Sequence, residues 1–200
     1  MRLLPYGDRA LLAEVDDNPT VLALREAVAT EPGLLNIVPA SRTLLVEFDP
    51  GLTSAQAIRT ALTAADAVPR PMSAGPLVEI DVRYDGADLR AVAGELRLSG
   101  EEVVRRHAGA TYTVAFCGFS PGFAYLTGLD PALYVPRLPE PRTSVPAGAV
   151  GIAGEFTGVY PRSSPGGWRL LGHTDAPLWD SSRTPPALLT PGTTVRFRPR

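Results

Sequence analysis

From residue 110 onward the chain offers no segment able to form a long helix, because short β-branched and aromatic runs are interrupted every few residues by glycine or proline. Helix interiors exclude proline and disfavour glycine, whereas tight turns between strands use both. The spacing predicts an antiparallel barrel or sandwich over this half. The first third reads differently. Arg9 to Val15 is a short strand, and Asn18 is placed to cap a helix with Pro19 at its first position and Val21, Leu22, Leu24 and Val28 on its apolar face, ended by "EPG" at 31–33. Leu34 to Pro39 and Thr43 to Phe48 read as strands around a polar turn, after which Thr53 or Ser54 caps a second helix carrying Ile58 and Leu62. Strand, helix, strand, strand, helix is a ferredoxin-like half-pattern.

Residues 68–76, "VPRPMSAGP", hold three prolines among small residues, as an exposed linker would. The class expected is therefore α+β, with an N-terminal α/β domain over 1–75 and a β-rich barrel or sandwich domain over 76–200. Within the second, Leu77 to Tyr84 alternates like a half-buried strand and Asp88 to Arg97 looks helical. Ser99 with Glu102 forms a capping box for the helix "EEVVRRHA", which Gly109 stops.

Composition narrows the chemistry. All 19 basic residues are arginine, so the chain has no lysine to carry biotin, form a pyridoxal Schiff base or serve a P-loop. Any anion it holds is met by arginine or by backbone N–H groups. A net charge of −2, without runs of like charge, gives no footprint for nucleic acid or an anionic membrane. The N-terminus lacks a signal-peptide core and no apolar window is long enough to span a bilayer; with the single Cys117 these features predict a cytoplasmic protein.

Gly118 to Gly122 spells G-x-S-x-G after a strand-like run, Thr111 to Phe116, and so raises Ser120 as a nucleophile. The elbow geometry needs a backbone N–H on the next residue and a following helix. Pro121 has no N–H, and "GFAYLTGLDP" is too glycine-broken for that helix. The segment reads instead as a turn. No metal is expected, since His107, His173 and Cys117 lie far apart without ligand spacing. His107 falls in the last turn of its helix, where the dipole favours an imidazolium, and Cys117 reads as buried packing. "GAVGIAG" at 148–154 has glycine spacing but no helix after it to make a phosphate loop.

The stretch from 137 to 173 crowds Arg142, Ser144, Glu155, Tyr160, Trp168 and His173 among prolines and glycines. Loops of this kind hold ligands or partners more often than they merely close turns.

Three motifs in that region, "FCGFSPGFAYLTGL", "PRTSVPAGAVGIAGEFTGVYP" and "SPGGWRLLGHT", resemble the family of bacterial 5-oxoprolinase B subunits, also described as allophanate hydrolase subunit 1 and as sporulation kinase inhibitors. "PYGDRALLAEV" near the start and "TVRFRP" at the end extend the likeness along the chain. The resemblance implies a cyclophilin-like β-barrel after the small α/β domain. It also implies a protein that acts with the homologous C component and the A component of a 5-oxoprolinase complex to open the lactam of 5-oxoproline to L-glutamate at the expense of ATP, the nucleotide held on this chain or on a partner. Alternatives within it are inhibition of a sensor histidine kinase and a role in allophanate or urea carboxylase chemistry; prolyl isomerase activity would rest on the barrel alone. Two positions depart from the family pattern. Phe156 stands where an amide occurs in "GGQTG", and His173 where arginine is common.

For lactam opening the site must hold a carboxylate, stabilise an oxyanion and exclude bulk water. Arg142 suits bidentate carboxylate binding, with Ser144, Phe119 and Trp168 as further substrate contacts. The N–H groups of Gly148, Gly151 and Gly154 are candidate oxyanion donors. Glu155, if partly buried, is a candidate general base, with Tyr160 and His173 to orient it or share its role.

Overall fold

The computed structural model describes residues 1–66 and 75–200, and the chain divides into two compact units, Met1–Ser73 and Ala74–Arg200. The expected linker at 68–76 lies outside the described residues except for its last two positions.

The first unit runs β1 (Arg2–Pro5), β2 (Ala10–Glu14), α1 (Asn18–Val28), β3 (Leu34–Pro39), β4 (Thr43–Phe48) and α2 (Ala55–Asp66). Its sheet is ordered β1-β2-β4-β3 and is antiparallel throughout. Val21, Leu24 and Val28 of α1 and Ile58 and Leu62 of α2 bury one face of that sheet at Leu11, Ala13, Leu44, Val46 and Phe48. Each such side chain contributes about 2 kcal/mol of transfer free energy. The expected strands at 34–39 and 43–48 are found, and Ser54 is the cap of α2, its Oγ accepting from Ala57 N. One expectation is corrected. The cap of α1 is Asp17, whose carboxylate accepts from Thr20 N at 2.9 Å, while Asn18 is buried inside the helix and donates from Nδ2 to Ala40 O. β1 is a strand that the sequence does not announce, because four residues ending in proline show no alternation on which to build.

The second unit contains β5 (Leu77–Val82), α3 (Leu89–Leu96), α4 (Gly100–Gly109), β6 (Tyr112–Cys117), β7 (Ala124–Thr127), β8 (Arg142–Val145), β9 (Ala149–Ala153), β10 (Phe156–Val159), β11 (Ser164–Gly166), β12 (Arg169–His173) and β13 (Thr194–Pro199). Beyond α4 its only helical piece among the described residues is the single turn Pro131–Leu133. Seven strands form one sheet in the order β12-β9-β10-β7-β6-β13-β5, with β13 and β5 parallel. Its two edges then meet: Arg83, just past β5, exchanges both backbone hydrogen bonds with His173 at the end of β12, at 2.8 and 2.9 Å. The sheet is thus a nearly closed barrel. Val82, Val114, Leu126, Val150, Ile152 and Val195 belong to its buried core, joined by Val92 of α3 and Val103 of α4. β8 and β11 form a separate ribbon.

Ser99 caps α4 through Oγ as expected, but the Glu102 carboxylate turns to Arg105 and Arg106. His107 is fully buried, and burial depresses its pKa to about 3, so the imidazolium favoured by a helix end in water does not form. The hydroxyl of Thr157 donates to Gly151 O and therefore accepts from His107 Nε2–H, leaving Nδ1 to accept from Tyr84. Cys117 is partly exposed, with Sγ near Leu189 O, rather than fully packed.

Candidate active site

"GFSPGF" is the loop of the β6–β7 hairpin, with no helix after it. Ser120 N donates to Gly118 O across Phe119, which takes φ 66°, and Phe123 N donates to Ser120 O over Pro121 and Gly122, the latter at φ 83°. Proline then glycine at the centre of a turn is the type II arrangement. Ser120 Oγ is buried and has no hydrogen-bond partner among the described residues.

The residues that converge do so at the barrel seam. Arg142, at the start of β8, sends Nη2 to Asp88 Oδ1 at 2.7 Å, and Nη1 lies 3.5 Å from Trp168 O. The other Asp88 oxygen accepts from Leu170 N at 2.7 Å. His173, closing β12, shares a 2.7 Å hydrogen bond between Nδ1 and Asp85 Oδ1; a carboxylate only accepts, so Nδ1 carries a proton, and among the described residues no hydrogen bond is made to Nε2. Ser144 and Ser163 hydroxyls are 2.9 Å apart. Arg142, Ser144, His173, Asp85, Ala149 and Leu170 line one cleft of about 450 Å³. Arg142 is part-exposed, so a guanidinium held at one corner still offers N–H groups to an anion.

The remaining candidates lie elsewhere. Phe119, Tyr160 and Trp168 gather around Phe123, with ring centroids 5.2 to 5.3 Å from it, and Tyr160 and Trp168 are buried. Burial raises the Tyr160 pKa, and its ring packs against Phe123 and Trp168, away from the residues that line the cleft. Gly148 N donates to Tyr160 O and Gly154 N to Val135 O, which commits both to the fold. Gly151 lies in mid-strand between β10 and β12. Gly148 nonetheless has to be glycine, with φ 79° and the Thr174 carbonyl where a Cβ would stand. Glu155 is exposed on the β9–β10 turn, at the opposite end of β9 from His173, and the burial that a general base there would need is not met.

Asp85 and Asp88 escape a reading of the sequence alone. Their signal is "YDGADL", two carboxylates flanking a glycine directly after a strand. Among the described residues no group of three or more His, Cys, Asp or Glu side chains is arranged to hold a metal ion, and no helix is long and apolar enough to cross a membrane.

Residues 1–189 match the family described as carboxyltransferase domain, subdomain C and D. The 5-oxoprolinase B subunit of Haemophilus influenzae is 34% identical over 98% of this chain and 97% of its own length. That of Escherichia coli O157:H7 is 52% identical over 62% of this chain, which spans 58% of the relative. A solved structure, TTHA0988, superposes on 96% of this chain at 42% identity and TM-score 0.82, and the matched part is 40% of that longer polypeptide. The chain therefore belongs to the carboxyltransferase domain, subdomain C and D, family, whose members include the B subunits of 5-oxoprolinase.

Proposed function

We propose that this chain is the B subunit of an ATP-dependent 5-oxoprolinase, a cytoplasmic hetero-oligomer in which it acts with the A and C components to open the lactam of 5-oxoproline to L-glutamate. The carrying observation is the cleft in which a carboxylate-held arginine, Arg142, stands with a carboxylate-held histidine, His173. The near full-length likeness to a protein named as a 5-oxoprolinase component agrees with it.

The substrate is a small anion bearing one carboxylate and one lactam. Arg142 pairs with the carboxylate, Ser144 and Ser163 offer hydroxyls to the lactam, and Nε2 of His173 accepts a proton from the attacking water. Cleavage of the ring C–N bond then leaves the nitrogen to take up a proton. ATP would supply a phosphoryl group to the ring carbonyl oxygen, with ADP as leaving group, and hydrolysis of the acyl phosphate left by ring opening would return that group as inorganic phosphate and free the new carboxylate. With no lysine in the chain and the Gly148 and Gly154 N–H groups committed, we place the nucleotide on a partner protein. A solved relative in which the matching segment is two-fifths of a longer chain supports a site shared with other protein. Glu155 and Phe119, both exposed, have a place in this reading as residues presented to that protein.

The finer architecture is part of the same reading. We take residues 1–75 as a ferredoxin-like domain, in which β1 occupies the edge where the pattern's fourth strand would lie, and 76–200 as a cyclophilin-like barrel.

The test is glutamate release from 5-oxoproline, with and without ATP, by this chain alone and by the complete three-component complex copurified. Release only from the full set with ATP supports the assignment. A well-formed complex that releases none overturns it.

A further inference from the structure

The turn leaving β5, Asp85-Gly86-Ala87-Asp88, gives one carboxylate to each of the two side chains that carry the cleft's chemistry. Asp88 occupies the N-cap position of α3, where an aspartate ordinarily accepts from an N–H of its own first turn and stabilises the helix by about 1 kcal/mol. It makes no such bond. At φ −104° and ψ −4° it lies outside the extended region of a capping residue, and its oxygens go to Arg142 and to Leu170 N. A local preference is given up to hold a guanidinium, and such departures concentrate where function imposes them.

The turn is also fastened to the strand that carries His173. Gly86 N donates to Leu171 O and Asp88 N to Leu170 O, each at 3.0 Å. A Cβ on Gly86 would collide with the Leu170 carbonyl and with Gly172 N, so no other residue lets the turn lie this close. Asp85 and Asp88 are therefore set at a fixed spacing on the same backbone as His173.

We propose that this turn is a double positioning element: Asp85 holds His173 with its proton on Nδ1, so that Nε2 presents a lone pair to the cleft's chemistry, and Asp88 holds Arg142 as the anion clamp. Its kinetic consequences rest on the oxoprolinase reading; its consequence for the imidazole does not.

The chain has two histidines, so nitrogen NMR of the intact protein resolves two imidazoles, and His107, protonated on Nε2, serves as the internal reference. In alkaline buffer, where an ordinary imidazole is neutral, wild-type His173 shows the opposite tautomer. Asp85→Ala, at an exposed position, moves that proton toward Nε2. In the assembled complex Asp85→Ala lowers kcat about tenfold or more with KM little changed. Asp88→Asn can still accept from Leu170 N but brings no charge to Arg142, and it raises KM for 5-oxoproline about tenfold with kcat little changed. A wild-type His173 protonated on Nε2, a tautomer indifferent to Asp85→Ala, or equal losses in kcat and KM for both variants overturns the proposal. An inactive complex whose His173 responds as described supports it and overturns the oxoprolinase reading instead.

Discussion

Tyr84 donates its phenolic proton to Nδ1 of His107 across 2.7 Å, and with Thr157 on the other nitrogen this fixes a neutral ring at the centre of the barrel unit. Phe197 stacks on the same ring at 4.8 Å. The imidazole has both polar atoms satisfied, and its burial disfavours a second proton.

Stability of that unit falls with pH through this group. In the unfolded chain an imidazole takes up its proton below about pH 6.5, whereas the folded ring stays neutral down to about pH 3. The unfolded state thus binds more protons between these limits, and stability present above the unfolded pKa is lost as pH falls, by roughly 2 kcal/mol between about pH 7 and pH 5. Urea melts across that range measure the loss. His107→Gln should remove most of the slope; the same slope in the variant assigns it to other groups.

Gly172 and Gly94 predict opposite outcomes for one chemical change. A Cβ on Gly172 would meet the Arg83 carbonyl at the barrel seam, so Gly172→Ala should destabilise by about 3 kcal/mol or more. Gly94 lies exposed within α3 with nothing near its missing Cβ, and Gly94→Ala should stabilise by roughly 0.5 to 1 kcal/mol. Thermal denaturation of both variants checks the pair.

Ser120→Ala should leave the activity of the assembled complex unchanged, and a serine-directed fluorophosphonate should not label this position. Its buried hydroxyl has no partner to lose, so stability should change by less than about 0.5 kcal/mol. Labelling at Ser120 would restore the nucleophile that Pro121 argues against.

Arg142→Lys keeps a positive charge but loses the planar fork. In the complex it should raise KM for 5-oxoproline about tenfold or more. An unchanged KM would remove the carboxylate from Arg142.

The strands and helices are legible wherever local chemistry decides them, as at β3, β4 and the Ser99 cap, because alternation and capping act over a few residues. The Ser120 motif fails as an elbow on one atom, the N–H that Pro121 lacks. What stays hidden depends on distant pairing. Asp88 reads as the start of an ordinary helix until Arg142, 54 positions away, claims its carboxylate. His107 reads as a helix-end cation until the barrel closes over it. Gly148 and Gly154 look like ligand donors because the carbonyls that take their N–H groups, at Tyr160 and Val135, come from other segments. Crowding near 137–173 points to Arg142, Ser144 and His173, but sequence proximity does not separate them from Tyr160 and Trp168, which face the aromatic cluster.

β13 lies between β5 and β6, pairing in parallel with one and antiparallel with the other. The first and second strands of the barrel are therefore neighbours only by way of residues 194–199. On the ribosome, everything from β5 to β12 emerges with one strand position empty, and its unpaired edges are open to other chains until residues 194–199 are made. Closure across such sequence separation is a slow, late event. Co-expression with partner proteins should accordingly matter most in the interval between synthesis of β12 and the pairing of residues 194–199 with β5 and β6.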